Sequence, residues 1–290
     1  MKMLTSAQAE TWSRQPDSAK AQRTHEAIRA VLRGGRSKIR DRDFTDFLQG
    51  SYRSDTNIRG DSDVDIVARL NETFRHETSL LGPFWAEQQK ARFSPPTYSF
   101  EQFRVDTFET LHDAFGDAVT LRNKCIEVAG RDGRLNADVV TCLEYRRYRE
   151  FERYDSGITF RPLHEDRWIV NFPVQHYENG IAKQGSTHQR FKPMVRLMKN
   201  ARNAQVDARR LADNVAPSYF LQCLIYNVPD HWFVPNLVQT YYAVLKHLEG
   251  ALNDPLSFIS ENGIVPLFGN TPEQWNVANA RSTVAALWAI

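Results

Sequence analysis

The sequence predicts an α+β protein, a mixed α/β lobe followed by a helical one. Three observations carry this. Strand-like and helix-like patterns alternate up to about residue 180, whereas from Ser186 onward the periodic stretches are almost entirely helical, apart from Pro-marked turns. Phe44 to Leu48, Val64 to Val67, Cys125 to Val128 and Asp138 to Leu143 are short runs of strand length. The chain has 290 residues, 41% hydrophobic and 25% charged, which suits a globular protein of one or two domains. The expected division is an α/β lobe over residues 1–185 and a helical lobe over 186–290, with a site in the cleft between them.

Taken in order, Lys20 to Arg33 is a helix with Ile28, Val31 and Leu32 on one stripe, stopped by Gly34-Gly35. The apolar run Phe44 to Leu48 ends in a Gly50-Ser51 turn, and Val64, Ile66 and Val67 mark the next strand. Ser94-Pro95-Pro96 is a break. Ser99 then caps a helix, with Gln102 completing the capping pattern, Phe100, Phe103, Leu111 and Phe115 on its apolar side and Gly116 closing it. In the second lobe Phe191, Met194, Val195 and Met198 follow i, i+3, i+4, i+7, so that side is core. Lys192, Arg196 and Lys199 fall on an adjacent stripe, where solvation is a sufficient explanation for Lys192 and Arg196. Pro217-Ser218-Tyr219 opens the following helix, where Ser218 either caps it or meets a phosphate.

The chemistry concentrates in one segment, GSYRSDTNIRGDSDVDIVARL, from Gly50 to Leu70. A Gly-Ser turn presents backbone N–H groups and a hydroxyl, which suit the terminal phosphates of a nucleotide. After eleven intervening residues, Asp63 and Asp65 lie two apart on a strand and so share a face. Side-by-side carboxylates repel unless a cation neutralises them, and hard oxygen ligands favour Mg²⁺ held jointly with substrate phosphates. Asp138, ahead of Val139-Val140, is the candidate third acid.

This pattern resembles the polymerase-β-like nucleotidyltransferases, with Gly-Ser, a spacer, Asp-x-Asp and a later acid. More narrowly it is similar to the bacterial cyclic-GMP-AMP-synthase-like nucleotidyltransferases (CD-NTases). Those add a helical Lys and a Pro-Ser-Tyr, here Lys199 and Pro217-Ser218-Tyr219, along with Ile169 to Pro173 and Phe191 to Asn200. The likeness runs from about Thr45 to the Trp275 and Trp288 region. The resemblance implies that Asp63, Asp65 and Asp138 ligate two Mg²⁺ ions, with Mn²⁺ able to substitute, and carry catalysis. It implies that Gly50, Ser51, Lys199 and Ser218 contact the triphosphate and that Tyr219 stacks on the base. The implied activity is synthesis from NTPs, ATP among them, of a cyclic di- or trinucleotide second messenger. That product acts on a separate effector in anti-phage (CBASS) signalling, and a regulatory protein or peptide is an expected activator.

Where many relatives have an acid four positions after the Ser, this chain has Gln222. No His/Cys cluster matches the animal synthase's zinc-bearing insertion, so no zinc is expected. Transfer of NMP to RNA 3′ ends or to a protein stays open, as does a silent nucleotide-binding sensor. The net charge of +2 argues against the RNA version, and the three acids argue against the silent one. Cys125, Cys142 and Cys223 are scattered and read as buried thiols. No apolar run reaches membrane-spanning length and the N-terminus carries charged residues rather than a signal-peptide core, so a cytoplasmic location is expected; a monomer is expected as well. The bases, linkage and ring size are not legible in one sequence.

Overall fold

The computed structural model describes residues 3–59 and 63–290. In chain order come α1 (Ser6–Ser13), α2 (Ala19–Leu32), β1 (Phe44–Leu48), α3 (Gly50–Arg53), β2 (Asp63–Glu77), α4 (Pro83–Lys90) and α5 (Phe100–Phe115). Next are β3 (Val119–Leu121), β4 (Ile126–Val128), β5 (Asn136–Glu150), β6 (Arg153–Phe160) and β7 (Ile169–Asn171). The chain continues with α6 (Pro173–Ser186), α7 (Phe191–Asp207), α8 (Ser218–Tyr226), α9 (Leu237–Ala251) and α10 (Val277–Leu287).

The elements group into two compact units. The sheet unit comprises the described residues of Asp17–Tyr52 and Ser62–Pro173. Its strands run in the order β1-β2-β5-β4-β3, with β6 paired to the far half of β5 and β7 to β6. Among the described strand pairs only β2 and β5 are parallel, so the sheet is mixed, as the sequence predicts. Alternation along the strands sends Val64, Ile66 and Val139 into one core with Ile28 and Leu32 of α2 and Phe103 and Leu111 of α5. Helix α5 starts and stops where its sequence says. Ser99 Oγ accepts from Gln102 N at 3.1 Å, and Gly116 takes φ +58° at the C-terminal end.

One polar residue interrupts the apolar run of β1. The Asp46 side chain is fully buried, yet it accepts from Arg29 Nε and from Arg33 Nε and faces His25 Nε2 at 3.2 Å. Burial opposes its charge, but the two guanidiniums outweigh that and hold the carboxyl below its ordinary range. The cluster clamps α2 to β1.

The helical unit comprises the described residues of Met1–Pro16, Arg53–Asp61 and Val174–Ile290. Phe191, Met194, Val195 and Met198 of α7 are all fully buried, as the periodicity requires, and pack with Phe220 and Leu224 of α8, Leu245 of α9 and Leu287 of α10. Phe220 stacks on Trp275 with centroids 4.9 Å apart. The division differs from the expected boundary at 185/186, because α6 and the N-terminal helix both belong with the helices. Asn179 donates to Glu261 O at 2.8 Å, Lys183 to Val228 O at 2.6 Å, and Gln184 Oε1 accepts from Lys192 N at 2.7 Å. On α1, Trp12 O accepts from Asn200 and Ser13 O from Arg196. These long-range bonds leave no trace in local composition.

Candidate active site

In the sheet unit, the parallel pairing sets Asp65 opposite Asp138, and Asp63 opposite Asn136. Neighbouring strands lie about 4.8 Å apart and in-register residues point the same way. The three acids therefore share the face opposite Val64, Ile66 and Val139. Asp63 is exposed, while Asp65 and Asp138 are partly buried. Burial, followed by the charge of Asp63, pushes the Asp138 carboxyl above its ordinary range, although a hydrogen bond from the Cys125 thiol pulls the other way. The same contact, after burial, pushes the thiol up to about 12, so Cys125 stays protonated at neutral pH.

The Gly-Ser turn abuts these acids. Gln49 N donates to Asp65 O at 2.9 Å, and Gly50 adopts φ +68°, which favours glycine. A Cβ on Gly50 would overlap the Asp65 carboxylate. Gly50 is thus doubly required, by its dihedral and by the carboxylate lying against it. Ser51 follows as the second residue of α3 and is partly exposed.

A divalent cation fits this face. Asp63 and Asp138 repel each other, all three donors are hard oxygens, and a cation would remove the repulsion that raises Asp138. Among the described residues no group of three or more His, Cys, Asp or Glu side chains is already gathered to hold a metal ion. An open set that leaves positions for substrate oxygens is how Mg²⁺ is ordinarily held with phosphates.

In the helical unit, the basic stripe of α7 is not the solvated face that Lys192 and Arg196 allowed. Lys192 Nζ lies 3.0 Å from Asp55 Oδ2, Arg196 donates to Asp55 O and, at 2.6 Å, to Ser13 O, and Lys199 Nζ donates to Thr56 O at 3.0 Å. Lys199 is 1% exposed. Rather than standing free toward solvent, its ammonium fixes the segment that precedes the acids in the chain. Burial, against the charge of Asp55, lowers the Arg196 guanidinium to about 10.

Arg202, which sequence reasoning passed over, continues the stripe one turn further, donating to Ala216 O at 2.9 Å and to Ser218 Oγ at 3.2 Å. Ser218 is the first residue of α8 and Pro217 holds the cap position, so the serine does not serve as the side-chain cap. Tyr219 is 39% exposed and is not a core tyrosine. Its ring lies 5.3 Å from that of His176, tilted by 42°. Burial pushes its phenol well above the ordinary range. Gln222, Thr56, His176 and Glu261 complete a polar cluster behind Tyr219. Periodicity gave no sign of it, because its members come from four separate stretches of chain.

A parallel strand pair carrying in-register carboxylates beside a Gly-Ser turn, on a mixed sheet flanked by helices, defines a polymerase-β-like nucleotidyltransferase. Comparison with known proteins narrows the class. Residues 178–290 match the model of the cGAS/DncV-like nucleotidyltransferase C-terminal helical domain. The cyclic UMP-AMP synthase of Rhodothermus marinus is 40% identical over 282 residues, 95% of this chain and 93% of that protein. The cyclic dipurine nucleotide synthase of Elizabethkingia meningoseptica is 34% identical, over 89% of each chain. The Rhodothermus CdnE structure with Apcpp and Upnpp superposes at a TM-score of 0.88, covering 98% of this chain and 96% of that one. The Elizabethkingia CdnE structure with GTP and Apcpp gives 0.82, with 98% of each chain covered. The chain belongs to the cGAS/DncV-like nucleotidyltransferases, the family of cyclic nucleotide synthases that its sequence resembles.

Proposed function

We propose that this chain joins two nucleoside triphosphates, ATP among them, into a cyclic dinucleotide. The observation that carries this reading is the in-register pairing of Asp65 with Asp138 against the Gly50 turn, since that arrangement sets hard-oxygen donors beside a phosphate-binding turn, as metal-assisted phosphoryl transfer requires. ATP is favoured as one substrate because the Rhodothermus and Elizabethkingia structures both hold Apcpp.

Gly50 and Ser51 grip the donor triphosphate through backbone N–H groups and a hydroxyl. Ser218 offers a hydroxyl to a phosphate oxygen, and Lys199 exchanges the Thr56 carbonyl for one. Tyr219 offers its exposed ring for base stacking. Asp63, Asp65 and Asp138 would hold two Mg²⁺ ions, which supply charge neutralisation for the triphosphate and acidify the attacking hydroxyl. Asp138 takes the proton of a ribose hydroxyl on the acceptor nucleotide. The hydroxyl oxygen bonds to the α-phosphorus as the bond to the bridging oxygen breaks, and pyrophosphate departs. A second round on the linear intermediate closes the ring. A role for the product as an anti-phage second messenger, and for a protein or peptide activator, is the family's implication for the cell.

The test is incubation of purified protein with all four NTPs and Mg²⁺, followed by phosphatase and mass spectrometry. A phosphatase-resistant product lacking free ends is expected, and isotope-labelled NTPs then fix its bases. Labelled NMP transferred only to RNA or protein in lysate would replace this reading with macromolecular nucleotidylation.

A further inference from the structure

Glu261 is the one fully buried carboxyl in the helical unit's polar cluster, and nothing in the transfer chemistry uses it. Its Oε2 accepts from Gln222 Nε2 at 2.7 Å and lies 3.5 Å from His176 Nδ1. The other face of each partner looks toward the nucleotide-contacting residues. Gln222 Oε1 accepts from Thr56 Oγ1 at 3.0 Å, and the His176 ring backs Tyr219. The next residue, Asn262, has its Nδ2 3.5 Å from the Tyr219 hydroxyl. Glu261 Oε1 has no hydrogen-bond partner among the described residues and sits where a Cβ on Gly180 would come within 2.5 Å of it. A turn anchored in the core thus reaches both the Thr56 segment and the Tyr219 ring through one carboxyl.

We propose that Glu261 is a positioning residue for nucleotide binding, orienting Gln222 against Thr56 and His176 behind Tyr219 and so setting the affinity of the site for nucleoside triphosphate. The proposal rests on the reading of Tyr219 as the base platform. An amide and an imidazole are neutral partners and cannot stabilise a buried anion as an arginine does. The groups that face the carboxyl are His176 and Gly180 from α6, Gln222, Cys223, Tyr219 and Tyr226 from α8, and the more distant charge of Lys192 from α7. Burial pushes the Glu261 carboxyl up to about 8, against the Gln222 bond and Lys192, and lowers His176 to about 4. Both are therefore neutral at pH 7. The phenols and the Cys223 thiol are raised instead, so Glu261 is the member of the cluster that ionises as pH passes 8.

The test measures binding of a non-hydrolysable ATP analogue by calorimetry with Mg²⁺, alongside KM and kcat, for wild type, Glu261→Gln and Glu261→Leu. Glu261→Leu is expected to weaken binding and raise KM about tenfold while kcat stays within about threefold. Glu261→Gln, which keeps the acceptor for Gln222, is expected to bind like wild type at pH 7. Between pH 7 and 9 wild-type affinity falls as the carboxyl ionises, whereas that of Glu261→Gln holds steady. If Glu261→Leu does not fold, this pH comparison alone decides. Equal affinity in wild type and Glu261→Leu, a loss confined to kcat, or matching pH profiles for wild type and Glu261→Gln would overturn the proposal. Failure of wild type itself to bind any NTP would instead remove the nucleotide reading on which it rests.

Discussion

Two buried carboxyls, one in each unit, show how partners rather than burial decide ionisation. Asp46 in the sheet unit and Glu261 in the helical unit are both fully enclosed. Asp46 has two arginines whose side chains remain about half exposed, so it keeps its charge and clamps a helix to a strand. Glu261 has an amide and a neutral imidazole, so it holds its proton and serves as a hydrogen-bond scaffold. The three candidate catalytic acids lie between these extremes, exposed or partly buried, with the repulsion between Asp63 and Asp138 available to a cation. The same functional group is thus used as a structural anion, a neutral strut and a metal-seeking face.

The sharpest way to break this comparison is at the metal-seeking face. Asp65→Asn is expected to lower product formation by at least about a thousandfold, because it removes charge that phosphoryl transfer depends on, while the thermal melt stays near wild type. Persisting activity would detach Asp65 from catalysis. Gly50→Ala follows, with an expected loss in kcat of about tenfold to a hundredfold, since the methyl both strains a φ of +68° and collides with the Asp65 carboxylate.

The anion and the strut are separated by pH. Asp46 is depressed in the folded state, so its contribution is present above the ordinary aspartate value and is lost as pH falls through its lower folded value. Glu261 is raised, so its contribution is full below about 4.5 and is lost as pH climbs to about 8. Melting curves of Asp46→Asn should therefore converge toward wild type at acid pH, whereas those of Glu261→Gln should overtake wild type as pH rises through neutrality. At pH 7, Asp46→Ala is expected to cost about 2 kcal/mol in chemical denaturation, discounted because its arginine partners reach solvent. The smallest effect is Ser99→Ala, which removes one helix cap for about 1 kcal/mol and leaves nucleotide transfer unchanged.

Features carried by local pattern were legible in the sequence. The Ser99–Gly116 helix follows from a cap, a periodic apolar face and a glycine stop, all within one stretch of chain. The Gly50-Ser51 and Asp63-Val64-Asp65 segment is likewise contiguous, and Asp138 needed only a strand-like run behind it. What escaped depends on distant partners. Asp46 hides inside an apolar run, and its arginines lie 13 and 17 residues upstream. Lys192 and Arg196 read as solvated because Asp55 is more than 130 residues away. Glu261 sits in Ser260-Glu261-Asn262-Gly263, a run indistinguishable from an ordinary polar turn, and meets Gln222 across 39 residues. The placement of α6 among the helices failed for the same reason, since its bonds to Val228, Lys192 and Glu261 are tertiary.

The measurement that bears most directly on the central claim is product analysis of wild type beside the Asp63→Asn/Asp65→Asn double variant. Both are incubated with the four NTPs and Mg²⁺, treated with phosphatase and resolved by mass spectrometry. The account expects a phosphatase-resistant cyclic nucleotide from wild type and none from the variant. A cyclic product from both, or only linear, phosphatase-sensitive material from wild type, would contradict it.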